Sequence, residues 1–426
     1  MKHPVISQYL ERYAEPDGLQ GFSEHHSHVV VIPIANEDPR FLTTLESIQQ
    51  AAGHTNARPL VICVINGRAG APDAYQANTA LLDALKRLGR CQERQAPWVE
   101  IDAEGLTLLV CARFSPPFEF GPKEGVGTAR KIGCDLALSL LEKGAIGSPW
   151  IRSTDADVRV PVDYFEDPRE RGAAMTLPFL HTGAPQELHL YEMSLRYYVM
   201  GLTHAGSPYA FHTVGSTLFI QALDYAKVRG FPKRLAGEDF YLLNKLAKTG
   251  AILSPDRLPL RIRHRESERV PFGTGPAVIK ILREAEQQRV FSLYHPQVFD
   301  RLQSVLLTFP HVATRRDLSP LRAELGDFEP GWSGLQKMVR QGCGDDVLLR
   351  QLHAHFDAFR TLKWIHHLRD NGLPKLPWQE ALAHAAFIPK NTTDPAAQET
   401  LLDLETQVRR PRQGIPTVDL SGTTTR

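Results

Sequence analysis

The stretch Thr154-Asp155-Ala156-Asp157 stands at the end of a segment, Trp150 to Thr154, that reads as a β-strand. Ligands of open α/β sheets bind outside the carboxyl ends of the strands, so two acids at that place face a site. Ionised carboxylates about 4 Å apart repel by about 4 kcal/mol at an effective dielectric of 20, and such a pair calls for a positive partner. Oxygen ligands of this kind suit Mg2+ or Mn2+, ions that bridge the oxygens of a diphosphate. The alternative is a turn carrying two solvated acids. A second acidic pair, Glu238-Asp239, opens a helical pattern, where acids also satisfy the helix dipole without any chemistry. Beyond it Arg257, Arg261, Arg263, His264, Arg265 and Arg269 fall within thirteen residues. Strand alternation sets Arg261, Arg263 and Arg265 on one face and His264 on the other, with a solvated basic loop as the alternative.

These residues must be positioned by an α/β framework. From residue 28 to about 220, short β-branched runs alternate with helical patterns, which predicts a largely parallel sheet. His28 to Ile34 is apolar on both faces and is expected at the centre of that sheet. A helix is expected from Arg40 to Ala52, a strand from Leu60 to Ile65, a helix from Asp73 to Leu88, a strand over Leu106 to Cys111 and a helix from Gly127 to Lys143. Met175 to Leu180 and Thr213 to Gln221 read as further strands, and Glu238 to Thr249 as a helix stopped by Gly250. After about residue 280 the pattern turns helical: Ala277 to Leu293, Phe299 to Thr308, Val347 to Arg369 and Gln379 to Ala386. The tail from Arg409 reads as a loose terminus.

Five segments in this order, VVVIPIANEDPRFLTTLESI, VICVINGR, GVGTARKIGCDLAL, WIRSTDADV and VGSTLFIQALDYAKVRGFPKRLAGEDFYLLNKLAKTG, resemble the family 2 glycosyltransferases of the GT-A fold. The resemblance spans about residues 28 to 275. It implies a Rossmann-like, mostly parallel sheet flanked by helices, with residues 1–27 as an N-terminal extension, 28–280 as the transferase domain and 281–426 as a helical C-terminal region. Pro33, Asn36 and Glu37 then stand where family members hold the base and ribose of a nucleotide diphosphate sugar, although Asn36 would equally cap the next helix. Asn66 occupies a position where the family often has Asp near the base, a departure that leaves the base open. Arg130 and Lys131 follow the Gly125 to Gly127 loop at a helix start, which offers cations and free N–H groups to a diphosphate. Asp157 takes the role of direct metal ligand, and Asp155 lies nearer the donor ribose. Of Glu238 and Asp239, the second matches the general base of inverting enzymes. His264 becomes a further metal ligand and Arg269 a phosphate contact, with Gly273 to Gly275 as a hinge.

The expected activity is therefore Mn2+- or Mg2+-dependent transfer, of the hexosyltransferase type, from a nucleotide diphosphate sugar to an acceptor that the sequence does not name. Two other classes are open. A nucleotidyltransferase would need a Gly-rich, cation-bearing loop directly after the first strand, where PIANEDPR stands, and a silent nucleotide-sugar-binding protein would not need intact TDAD and GED. Forty-nine Lys and Arg against 48 Asp and Glu give a net charge of +1, so no bulk field recruits nucleic acid and any polyanion chemistry must be local. Five scattered cysteines without paired spacing, and no apolar run long enough to span a bilayer, place the expected chain in the cytoplasm. The helical region is expected to shape the acceptor side or an oligomer interface. His25, His26 and His28 precede the first strand and the His366-His367 pair lies in an apolar helical pattern, so neither is read as a ligand set; Cys134 is read as core.

Overall fold

A computed structural model describes residues 3–16, 19, 22, 24–37, 39–183, 186–264, 277, 279–283, 287, 289–389 and 398–409. By internal contacts the chain forms two compact units, Met1–Ala184 with Thr213–Pro276 and Pro185–His212 with Ala277–Arg426.

The first unit begins with α1 (Pro4–Arg12), β1 (His28–Ile34), α2 (Leu42–Thr55), β2 (Pro59–Asn66) and α3 (Pro72–Lys86). There follow β3 (Gly89–Glu93), β4 (Trp98–Ala103), β5 (Leu106–Arg113), α4 (Val126–Glu142), β6 (Trp150–Ser153), β7 (Val158–Arg159), β8 (Ala174–Thr176) and β9 (Phe179–Thr182). After α5 (Gln186–His204), which lies in the second unit, the first resumes with β10 (Leu218–Gln221), α6 (Ala222–Lys227), α7 (Glu238–Leu246), β11 (Ile252–Leu253) and β12 (Leu260–Arg263). Nine strands join in the order β11-β8-β10-β6-β1-β2-β5-β4-β3. The block β6-β1-β2-β5 is parallel, β10 runs antiparallel between β6 and β8, and β4 and β3 add an antiparallel edge. The chain is thus mixed α/β around a large central sheet. β1 lies inside the parallel block because Val29 to Ile34, like Pro59 to Ile65 of β2, are apolar and buried on both faces. α4 covers these strands closely at Gly133, where an added Cβ would come within 2.4 Å of Val31 Cγ1. A small sheet, β7-β12-β9, stands beside the end of β6.

Several sequence expectations are corrected. The β3-β4 hairpin was not expected, since every residue of β3 is exposed and no apolar alternation marks it. The single strand expected over Met175 to Leu180 is two, β8 and β9, in different sheets, and the strand expected from Thr213 begins at Leu218 after a tight turn over Gly215–Thr217. Residues 1–27 hold α1, which is part of the first unit, and the segment 185–212 leaves that unit for the second.

The second unit is built from α5 and the helices Gln297–Leu307, Phe309–Arg315, Ser319–Leu325, Trp332–Arg340, Asp345–His355, Ala358–Asp370, Trp378–His384 and Gln398–Arg409. Gly201 is the reason α5 packs here: a Cβ would lie 2.6 Å from the Phe299 ring, which itself stacks edge-on to Phe387 at 5.4 Å. The helix expected over Val347 to Arg369 is broken at Phe356, and Asp357 caps the second half by accepting from the Arg360 N–H at 3.2 Å. Ser292–Leu293, expected as helix, is a strand paired with Leu376–Pro377. His366 shares a 2.8 Å hydrogen bond with the Tyr294 hydroxyl, and His367 one of 3.1 Å with Asp327, so the pair serves packing. No helix among the described residues is long and apolar enough to cross a membrane.

Candidate active site

The turn after β6 carries Asp155 and Asp157, and α2 fixes it from behind. Thr44 Oγ1 donates to the Ala156 carbonyl at 3.0 Å and Ser47 Oγ accepts from the Val160 N–H at 3.0 Å. Three residues apart on a helix, these two buried side chains share one face. Thr154 N–H closes onto Val31 O at 3.1 Å. Both acids keep partial access to solvent, Asp155 with its side chain 34% exposed.

Arg130, one turn into α4, joins this turn to α7. Its Nη2 lies 2.6 Å from Asp155 Oδ1, its Nη1 2.7 Å from Ser153 Oγ and its Nε 3.0 Å from Glu238 Oε1. Burial works against the guanidinium charge, but Asp155, Glu238 and Asp239 together outweigh it and raise its pKa. α7 begins here because Gly237 takes a left-handed φ of 72°, which glycine adopts without strain, and because first-turn acids suit the helix dipole. Asp239 Oδ1 accepts the Phe240 N–H at 2.7 Å. A Cβ on Gly215 would meet Arg130 Nη2 at 2.6 Å and Asp239 Oδ2 at 3.3 Å, so only glycine leaves room for that oxygen beside the guanidinium. Burial, then the charge of Glu238, pushes the Asp239 carboxyl up to about 7, against the pull of the Phe240 N–H and Arg130. A half-buried carboxylate poised near neutrality is suited to accept a proton.

The small sheet brings the basic segment to the same place. β12 pairs antiparallel with β7, Ile262 opposite Val158, and Arg263 N–H donates to Asp157 O at 2.8 Å. His264 is the next residue, its own N–H on Thr182 O at 2.9 Å. Arg265, Arg269 and Gly273 to Gly275 lie outside the described residues.

Other expected site residues are placed differently. Lys131 faces away from Arg130: its Nζ is buried on Asp135 Oδ2 at 2.8 Å and the Tyr9 hydroxyl at 2.7 Å, a network that docks α1. At the start of α4 one of the N–H groups expected to face a diphosphate is already engaged. Gly127 N–H donates to Arg234 O at 3.2 Å, and a Cβ there would lie 2.5 Å from Pro232 O, so residues 232–235 cover the loop. Asn36, with φ 52°, does not cap α2, whose N-cap is Phe41. Its N–H donates instead to Asn78 Oδ1 at 2.9 Å, and Asn78 Nδ2 donates to Asn66 O at 3.0 Å. Asn66 turns its amide nitrogen back onto Ile34 O at 2.8 Å. Pro33, in β1, and Glu37 are buried at the same end of the sheet. Asn78, Ser153, Thr44, Ser47 and Gly215 were not singled out in the sequence. Asn78, Thr44 and Ser47 carried a weak signal, as poor helix formers inside helices.

No family model and no curated protein matches this sequence. Among solved structures, one similar chain is the mannosyltransferase PcManGT from Pyrobaculum calidifontis in complex with GDP-Man and Mn2+. It is 16% identical, with 95% of this chain and 92% of that one covered, at a TM-score of 0.32. At that score the likeness decides neither fold family nor chemistry.

Among the described residues no group of three or more His, Cys, Asp or Glu is gathered to hold a metal ion. Mg2+ and Mn2+ are commonly bound through one or two carboxylates, the rest of the shell coming from water and substrate phosphates. Asp157 and the Asp155 oxygen that Arg130 leaves unengaged fit that mode, whereas His264 is not gathered with them as a third ligand.

Proposed function

We propose that the chain is a GT-A type glycosyltransferase of the hexosyltransferase kind, moving a sugar from a nucleotide diphosphate sugar to an acceptor hydroxyl or amine with inversion. The observation that carries this reading is the convergence of Asp155, Glu238 and Asp239 on the buried Arg130 at the carboxyl end of β6. Three acids around one cation leave excess negative charge that a divalent ion or a proton completes, at the place where an open α/β sheet binds its ligand. Asp155 and Asp157 would hold the cation, which when bound would supply positive charge to the diphosphate leaving group.

The chain's own residues then divide the work. The ionised Asp239 carboxylate takes the proton as the acceptor's oxygen or nitrogen bonds to the anomeric carbon. The bond from that carbon to the diphosphate oxygen breaks, and its electron pair leaves with the diphosphate. Glu238, tied to Arg130, holds α7 in place rather than accepting the proton. Asn36, Asn66 and Glu37 line the end of the sheet proposed for the base and ribose, and Arg269 is proposed as a phosphate contact. A thermal-shift screen of nucleotide diphosphate sugars with and without Mn2+ tests the reading, since a ligand at 100 times its dissociation constant stabilises by about 2.7 kcal/mol. Stabilisation by nucleoside triphosphates in place of nucleotide sugars would instead favour a nucleotidyltransferase.

A further inference from the structure

The surface where the segment between α6 and α7 meets Lys245 of α7 carries positive charge that its surroundings do not balance. Arg229, Arg234 and Lys245 are exposed, and among the described residues no carboxylate pairs with any of them. Nearby acids are already engaged: Glu15 with Lys233 at 2.7 Å, Asp224 with Lys227 at 3.0 Å and Asp135 with Lys131 at 2.8 Å. Geometry gathers the three remaining cations. Arg234 lies with its Cζ 3.8 Å from the centre of the Tyr241 ring, and Tyr241 is one turn of α7 before Lys245. Lys245 Nζ donates to Val228 O at 3.4 Å, the residue next to Arg229, whose guanidinium lies over Tyr13 at 4.6 Å. Burial and the charges of Arg229, Arg234 and Lys131 all lower the Lys245 pKa, as crowded like charges do.

Concentrated cations cost free energy in the unliganded chain, and two of these are held on aromatic faces, which fixes a guanidinium while leaving its N–H edge able to donate. We infer that Arg229, Arg234 and Lys245 form a binding site for a phosphate group, carried either by a soluble phosphate ester or by a lipid headgroup. Phosphate matches this set because it accepts several charge-assisted hydrogen bonds at once. The site is separate from the acidic centre: Lys245 is six residues beyond Asp239 on α7, about 9 Å along the axis.

The test is calorimetric titration of the full chain with inorganic phosphate, with a chelator present so that the acidic centre has no metal and repels the anion. Arg234→Ala and Lys245→Ala are each expected to weaken binding about ten-fold or more, and Lys245→Arg to keep it. Lys227→Ala, which removes an ammonium already engaged by Asp224, is the control and should bind as the unmodified chain does. Cosedimentation with phosphatidylglycerol vesicles assigns the phosphate to a lipid headgroup if it occurs and is lost in the same two variants. Phosphate binding without cosedimentation assigns it to a soluble ester. Unchanged phosphate affinity in Arg234→Ala and Lys245→Ala, or an equal loss in Lys227→Ala, overturns the inference.

Discussion

Arg130 Nη2 sits 2.6 Å from Asp155 Oδ1, and through this contact a helix that covers the sheet holds the acid at the end of its neighbouring strand. The same guanidinium holds Glu238, so one buried cation sets the spacing between the turn after β6 and the start of α7.

Removing that cation should therefore damage stability and chemistry together. Arg130→Ala leaves Glu238 buried with no counter-charge, a loss of about 3–5 kcal/mol for breaking one side of a buried ion pair. Denaturant unfolding should show this as a lower midpoint. Arg130→Lys should recover only part, because an ammonium cannot span Asp155, Ser153 and Glu238 in the fork that Arg130 makes. A Lys variant as stable as the parent chain would show that charge alone suffices.

Asp239→Asn should lower turnover by about 10² to 10⁴ with donor affinity nearly unchanged. With the parent chain the rate should climb as pH rises toward about 7 and level off above it, following ionisation of Asp239. Stability runs the other way. The folded chain holds this proton more tightly than the unfolded chain, whose carboxyl titrates near 3.8, so stability falls as pH rises from there to about 7. Melting temperatures of Asp239→Asn and the parent should diverge across that interval, the variant gaining at the higher pH. Near-normal turnover in the variant would move the base to Glu238.

Why some of this was legible in the sequence and some was not follows from range. β1 and β2 announce themselves by apolar residues on both faces, and TDAD and GED by acids at element ends, all of which are local signals. The partners of Arg130 are 25 and 108 residues away, and nothing local separates it from Lys131. Neighbours on a helix are turned about 100° from each other, so one reaches the acids while the other reaches Tyr9 and Asp135. Likewise α5 falls in the stretch read as alternating strands and helices, and only the contact of Gly201 with Phe299 shows that it packs in the second unit.

Asp157→Ala should abolish the Mn2+-dependent part of nucleotide diphosphate binding while the fold survives. The residue is half-buried in a turn held from outside it by bonds of Thr44, Ser47 and Thr154. Calorimetry with and without the metal reads the difference. Undiminished metal-dependent binding would remove Asp157 from the metal site.

The last prediction concerns Asn78, which takes no part in any motif. Its side chain is fully buried in α3 and uses both ends of the amide, accepting from Asn36 N–H and donating to Asn66 O, the two chain segments that leave β1 and β2. Asn78→Ala leaves both groups unmet, at about 1–3 kcal/mol for each if water does not reach it. Asn78→Asp keeps the acceptor for Asn36 but cannot donate when ionised, so Asn66 O loses its partner and faces a carboxylate. If these two segments hold the base and ribose, both variants should raise the donor KM well above any change in kcat, whereas a purely structural fault would lower the active fraction and leave KM alone. Steady-state kinetics beside an active-site titration separates the two, and an unchanged donor KM in Asn78→Asp would detach Asn78 from the nucleotide end of the sheet.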